Sequence, residues 1–490
     1  MEEGTAALLP EKTRSANEFF IEEMKNVSRI AIPMVLVTVS QHLVRVLPMM
    51  MLGHVSELSL SAASVATSLT NVTGFIVLFG MASALETLCG QAFGAQQFHK
   101  LGTYTYAAIM ALLVVCIPIS ILWFYLDKIL ILIGQDPEIS VEAGKYAVWL
   151  ITSIFPYAIL QCLTRHLQMQ SLIFPMLLSA AATTCFHVAV CWALVFSFNL
   201  GSVGGALSVG LSYWFNAGLL ALYMMFSGSC ENTRNCLWED LSFRMGEFFR
   251  FAVPSSSMAC LEMWTFEVIV LLGGLLPNPQ LETSVLSICL MTISLHYYIP
   301  FSVGAGASTR ISNELGAGNT ETAKMATWAV MVLGFAEMLG ASIAVLACGN
   351  ILGYAFSAEE EVAKYITKMS PLISVMFLSD GIQGVLSGVA RGSGWQHLGA
   401  YVNLAAYYLV GVPVAVVLGF WVGLRGMGLW LGLNIASMLQ SIVFLLITIF
   451  TDWEKQAAIA KERLMCQRSS ERLIIELSKI KCMASPDIPL

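Results

Sequence analysis

Arg45, Glu86, Glu262, Glu267, Glu337 and Asp380 stand inside long apolar runs of the chain. An ionisable side chain in a membrane interior costs about 2.5 to 3.5 kcal/mol on insertion scales, so each needs a reason to be there. A carboxyl withdrawn from water favours a neutralised form, which suits it to binding and releasing a proton or a cation. Glu262 and Asp380 make the strongest pair. Glu262 follows Pro254 and Asp380 follows Pro371, and a proline removes a helical hydrogen bond and favours a bend. Asp380 also lies in Ser379-Asp380-Gly381-Ile382-Gln383-Gly384, where glycines thin the helix and admit polar neighbours. Two carboxyls at matching depth facing one cavity would couple proton binding to another event, with Gln383 in support. The plainer alternative is a pair of acids held by neighbouring helices for packing alone.

Glu267 lies five residues beyond Glu262, about 140° around an ideal helix, so the two acids face different ways. An ion pair between Glu267 and Arg45 is expected instead, for a reason that the internal repeat described below supplies. Glu337 reads as a polar contact between helices without an obvious partner. Glu86 stands near a membrane surface, as a solvated or gate-lining carboxylate.

The elements that must position these residues follow from composition. The chain has 490 residues, 57% hydrophobic and 12% charged, with a mean hydropathy of +0.74, against roughly 25% charged in a soluble domain. Apolar runs long enough to cross a hydrocarbon core of about 30 Å recur along it. Backbone groups there find no water, and long runs without two-residue alternation select helices over a closed barrel. The expected fold is an all-α polytopic membrane protein of twelve helices in two six-helix lobes. Apolar windows fall near 30–52, 60–85, 103–126, 146–163, 172–198 and 203–227, then near 248–276, 283–307, 326–349, 365–389, 397–421 and 427–450. This places an N-terminal tail at 1–29, an N-lobe at 30–228, a linker at 229–247, a C-lobe at 248–450 and a C-terminal tail at 451–490.

An internal repeat supports the division. A shift of 221 residues lays Pro33 on Pro254, Gln41 on Glu262 and Gly53 on Gly274. A shift of 222 pairs Thr87 with Thr309, Gly94 with Gly316, Phe155 with Phe377, Gln161 with Gln383 and Gly204 with Gly426. Glu262 and Asp380 therefore fall where the first half has Gln41 and Ala158, and Glu267 falls beside the place of Arg45. Six spans per half give both halves one orientation, related by an axis along the membrane normal, and a substrate cavity belongs at their interface. Lys and Arg near the span ends favour cytosolic termini, counting Lys100, Arg165, Arg244, Arg310 and Arg391 among the cytosolic loop cations. The segments Cys89–Ala95 and Arg310–Asn319 read as equivalent tight turns on that side.

Several classes are not indicated. A net charge of -7 without a basic cluster offers nothing to nucleic acid. The twelve cysteines contain no CxxC and sit mostly in apolar runs, so packing explains them better than metal or disulfides. No phosphate-loop Lys follows the glycines, and neither HExxH nor GxSxG occurs. His166, His187 and His296 read as satisfied polar contacts, so catalytic residues, cofactors and metals are not expected and the chain is not read as an enzyme. The polar N-terminus lacks the apolar core of a cleaved signal, which makes the first span the insertion signal. Ala6-Ala7-Leu8-Leu9 after Glu2 and Glu3 loosely resembles a dileucine sorting signal, although a plain tail explains it as well.

The runs Glu86–Ala95, Cys260–Glu267, Gly274–Pro279, Ser308–Asn319 and Val389–Gln396 resemble those of plant multidrug and toxic compound extrusion (MATE) transporters of the detoxification subfamily. The likeness extends from about residue 28 to about 455. It implies a proton-coupled antiporter exporting amphipathic organic compounds such as secondary metabolites, xenobiotics and drugs, with the coupling carboxylates on Glu262 and Asp380. It implies a multi-pass protein of the plasma or vacuolar membrane whose partners are small organic substrates, protons and the bilayer, and a monomer is expected. Two departures stand out. Many bacterial relatives carry an aspartate in the first span, where this chain offers Gln41, and plant members usually have an uncharged polar residue where it has Arg45. Sodium coupling is the alternative, since carboxylates and carbonyls also bind Na⁺. A lipid-linked flippase is a weaker one, because only Arg45 is there to meet a phosphate headgroup.

Overall fold

The structure, a computed structural model, describes residues 16–356 and 359–465. Twelve helices long and apolar enough to cross a membrane dominate the described residues. They are α1 (Asn17–Leu52), α2 (Glu57–Gly94), α3 (Phe98–Phe124), α4 (Pro137–Met169), α5 (Ile173–Ser197) and α6 (Gly201–Phe226), then α7 (Leu241–Gly273), α8 (Pro279–Ala317), α9 (Thr320–Ala355), α10 (Glu360–Ser393), α11 (Gln396–Trp421) and α12 (Arg425–Ile449). The resemblance to a dileucine signal at Ala6–Leu9 lies outside the described residues.

Local chemistry sets many of the ends. Asp136 caps α4 by accepting hydrogen bonds from the amides of Glu138 and Ile139, with Pro137 preset in the first turn. Gly318 and Gly394 close α8 and α10 at φ of 83° and 88°, a backbone region that other residues enter at a cost. Wide π-type turns interrupt α2 at Asn71–Phe75 and end both α5 and α11, at Ala193–Ser197 and Val417–Trp421. The last two occupy corresponding helices of the two halves.

Several helices outrun the apolar windows that announce them. The 38 residues of α2 extend about 57 Å, well beyond the roughly 30 Å of hydrocarbon. The N-terminal tail is helical from Ala16, and Glu23 is buried there against Arg310 of α8 at 2.8 Å. Leu241 already opens α7 inside the expected linker, and residues 453–465 of the expected C-terminal tail form a further helix. Hydropathy reports where lipid is, and a helix continues wherever its polar end finds protein contacts.

The packing has the symmetry that the repeat requires. Within the N-lobe α4 packs on α3 and α6, and within the C-lobe α10 packs on α9 and α12. Between lobes α1 meets α8 and α9 while α7 meets α2 and α3, pairs that a two-fold axis exchanges, and α2 meets α8 on the axis itself. With an even number of spans, the start of α1 and the end of α12 lie on one face, called the terminal face below.

Candidate functional site

The C-lobe core is divided in two. One apolar cluster holds Met258, Val303, Val385 and Phe444, another holds Ile269, Ile293, Phe377 and Ala436. On α7, α8, α10 and α12 the residues between the clusters include Glu262, Tyr297, Asp380 with Gln383, and Gln440. A polar layer therefore crosses the lobe. Gln383 Nε2 donates to Glu262 Oε2 at 2.5 Å and lies 3.0 Å from Ser387 Oγ. Tyr407 donates to Gln440 Oε1 at 2.8 Å, Gln440 Nε2 to Asn403 Oδ1 at 2.7 Å, and Asn403 to the carbonyl of Met258 at 2.7 Å.

Glu262 and Asp380 come together in this layer, near enough to interact electrostatically, and each is 4% exposed. Glu262 Oε1 and Asp380 Oδ1 are buried without a hydrogen-bond partner. Among the described residues neither acid forms an ion pair, and the nearby Arg391 is committed to Glu86 at 2.9 Å. Buried charge without a partner is costly, so this pair stays ionised only against a bound cation. Glycines let the helices close around it. A Cβ on Gly304 of α8 would meet the Gly384 carbonyl of α10 at 2.6 Å, and one on Gly388 would strike the Gly304 carbonyl.

The corresponding N-lobe site is built differently. Gln41 and Ala158 replace the acids, and one apolar cluster runs through the lobe. Arg45 Nη1 donates to Asn71 Oδ1 at 3.1 Å, while Ser68 donates to Glu267 Oε2 at 3.1 Å. The expected Arg45–Glu267 ion pair is not formed. Each charge instead takes a neutral partner on one stretch of α2, Asn71 for Arg45 and Ser68 for Glu267, so the two repeat-adjacent positions are satisfied without meeting each other. His42 and Tyr298 join through Nδ1 and the phenol oxygen at 2.6 Å beside Arg45.

The MatE family profile matches residues 33–193 and again 254–417. The chain belongs to the MatE family. Its two matches begin 221 residues apart, the shift that aligns Pro33 with Pro254. It is 51% identical to Protein DETOXIFICATION 6 of Arabidopsis thaliana, over 95% of this chain and 96% of that one. It is 50% identical to Protein DETOXIFICATION 14 of the same plant, over 96% and 97%. Among solved structures it resembles the eukaryotic MATE transporter AtDTX14, with a TM-score of 0.88 and 52% identity, over 91% of this chain and 99% of that one. An outward-facing multidrug resistance MATE transporter at 15% identity and a TM-score of 0.78, covering 92% and 100%, shares the fold.

In this MatE transporter the terminal face is sealed by charge that the sequence reading placed in loops. Glu86 is fully buried, with Oε1 3.0 Å from Arg165 Nε of α4 and Oε2 accepting from Arg391 Nε of α10 at 2.9 Å. The carboxylate thus clamps the two lobes and is not solvated. The guanidinium groups of Arg165 and Arg391 lie over the rings of Phe79 and Phe301, 5.1 and 5.5 Å from their centroids. Lys100 and Arg244 are buried as well, at 2% exposure each. Counting charges near span ends treats every cation as loop-borne, and only packing distinguishes those turned inward.

The glycine-rich segments are helix ends and not turns, since α2 runs to Gly94 and α8 to Ala317. Their glycines serve a close approach on the axis. A Cβ on Gly94 would strike the Asn313 carbonyl and one on Gly316 the Gln91 carbonyl, contacts that the repeat interchanges. The histidines make polar contacts: His166 with Thr105 at 2.9 Å, His187 with Ser212 at 2.8 Å, and His296 with Glu337 at 3.1 Å, which supplies the partner that Glu337 lacked. His166 and His187 are only half satisfied, since the Nε2 of each is buried without a hydrogen-bond partner. Sequence reasoning missed Tyr297, Asn403, Tyr407 and Gln440. Two of them, Asn403 and Gln440, are side-chain amides inside apolar spans and give a readable signal, but tyrosines in such spans usually pack.

Proposed function

We propose that this MatE transporter exports amphipathic organic compounds, such as secondary metabolites, xenobiotics and drugs, across a plant plasma or vacuolar membrane in exchange for protons. It acts as a monomer with both termini cytosolic. The observation that carries the reading is the carboxyl pair Glu262 and Asp380, buried in one polar layer, each with one unpartnered oxygen and, among the described residues, no ion-pair partner. The relatives named DETOXIFICATION support the substrate class.

Protons loaded from the outer or luminal side neutralise the pair and weaken the hold of Glu262 on Gln383. That change biases the lobe between two packings, one retaining substrate and one releasing it. The driving force is adequate. One pH unit supplies about 1.4 kcal/mol per proton and 100 mV about 2.3 kcal/mol, together enough to concentrate a neutral substrate several hundredfold. The layer contains no group for covalent chemistry, so the cycle consists of binding and repacking.

Reconstituted vesicles under an imposed pH gradient, with and without Na⁺, test the coupling. Uptake of a fluorescent amphipathic compound is expected to follow the pH gradient and to be indifferent to Na⁺. Uptake that required a Na⁺ gradient would assign the carboxyl pair to sodium instead.

A further inference from the structure

Arg45 is left over by the coupling reading, and its surroundings are unusual. The residue lies deep in the molecule on α1, yet its side chain is only half-buried, as are Gln41, His42, Asn71 and Tyr298 around it. These side chains border interior space between the lobes. A guanidinium carries five N–H donors, and the structure gives this one a single acceptor, Asn71 Oδ1. Among the described residues it forms no ion pair, since Glu267 is held by Ser68 instead. The neighbouring charged-form interactions are with the hydroxyls of Tyr157, Tyr213 and Tyr298, which supply no formal counter-charge at neutral pH.

An interior cation without a counter-ion is as costly as an interior acid without one. Aromatic rings stand beside it. Tyr298 and His42 are tilted at 4.9 Å and half-buried, and the buried Phe75, Tyr157 and Tyr213 form a cluster with centroids 4.9 to 6.2 Å apart, Phe75 meeting both tyrosines edge-to-face. Unused guanidinium donors, an open approach and flanking ring faces suit a planar ligand that ends in an acid group.

We propose that Arg45 anchors a substrate subsite for aromatic anions, its free N–H donors taking the carboxylate while Tyr298 and His42 flank the ring. The assignment rests on the exporter reading and specifies its substrate: this chain takes aromatic acids in preference to aromatic cations. Loading such an anion supplies the missing counter-charge. The subsite is separate from the carboxyl layer, and the adjacent residues Tyr297 and Tyr298 on α8 divide between the two, Tyr297 facing Glu262 and Asp380 and Tyr298 facing His42.

Three probes of one ring system separate the possibilities: 1-naphthoate, 1-naphthamide and 1-naphthylmethylammonium. Equilibrium binding to the full chain in lipid nanodiscs is measured for the wild type, Arg45→Gln and Arg45→Lys. The wild type is expected to bind naphthoate most tightly. Arg45→Gln should lose about 10- to 100-fold of naphthoate affinity, the range for a charge-assisted pair, and leave the amide within about twofold. Arg45→Lys should recover part of the loss, because it keeps the charge without the planar fork. Equal naphthoate binding by wild type and Arg45→Gln overturns the assignment, as does tighter wild-type binding of the ammonium probe or no naphthoate binding at all. Displacement by chloride at concentrations as low as those of naphthoate itself overturns the aromatic part. Because the readout is binding, naphthoate that binds through Arg45 but does not move under a pH gradient would sink the exporter reading while this one stands.

Discussion

The two lobes share one plan of six helices and differ most where their equivalent positions face the interior. In the C-lobe a polar layer with two acids cuts the apolar core into two clusters. In the N-lobe Gln41 and Ala158 take the acids' places, the core is unbroken, and a lone cation, Arg45, stands nearby. Duplication supplies a symmetric scaffold and a symmetric seam. Divergence at a few interior positions then gives each lobe its own polarity without altering the packing of the helices.

The largest effect expected from breaking this contrast is on coupling. Glu262→Gln and Asp380→Asn should each lower gradient-driven export by about 100-fold or more, the loss of an essential proton carrier, with unchanged elution and melting of the purified protein. Normal transport by both variants would remove the C-lobe layer from the mechanism. Building the layer into the other lobe should fail on stability. Ala158 is fully buried in a continuous apolar core, so Ala158→Asp should destabilise by several kcal/mol, seen as a markedly lower melting temperature. An unchanged melting temperature would mean that the N-lobe already holds polar partners there.

The seam offers a symmetric test. Glu86→Gln strips the counter-charge from buried Arg165 and Arg391, at about 3 to 5 kcal/mol for a broken buried pair. Labelling of a cysteine introduced at Ser312 from the terminal face should rise with it, and unchanged labelling would show that the clamp does not hold the seal. Gly94→Ala and Gly316→Ala should each weaken the same seal by about 1 to 3 kcal/mol, and by similar amounts because their contacts are repeat equivalents. Strongly unequal labelling would show the seam to be asymmetric. The smallest effect is expected at Ser68→Ala, which removes one hydrogen bond to Glu267, about 1 kcal/mol. A melting curve displaced by much more would mean that Glu267 depends on Ser68 alone.

Residues and their order determined a great deal here. Apolar length set the twelve spans, the 221-residue shift set the two lobes, and the scarcity of intramembrane acids picked out Glu262 and Asp380, because each of these is a property of one segment or of a fixed offset between segments. Which charges meet was decided only by the tertiary structure. Arg45 and Glu267 lie at neighbouring repeat positions, yet each is taken by a different neutral side chain of α2, Asn71 and Ser68. Arg165 and Arg391 lie near span ends like any loop cation, yet helix rotation and the glycine contacts between α2 and α8 turn them onto Glu86. The terminal helix of residues 453–465 likewise carries Arg463 to within 2.5 Å of Gln91 in the N-lobe. Hydropathy is summed along the chain, whereas pairing depends on helix rotation, depth and side-chain reach, and those are fixed only when all the helices have packed.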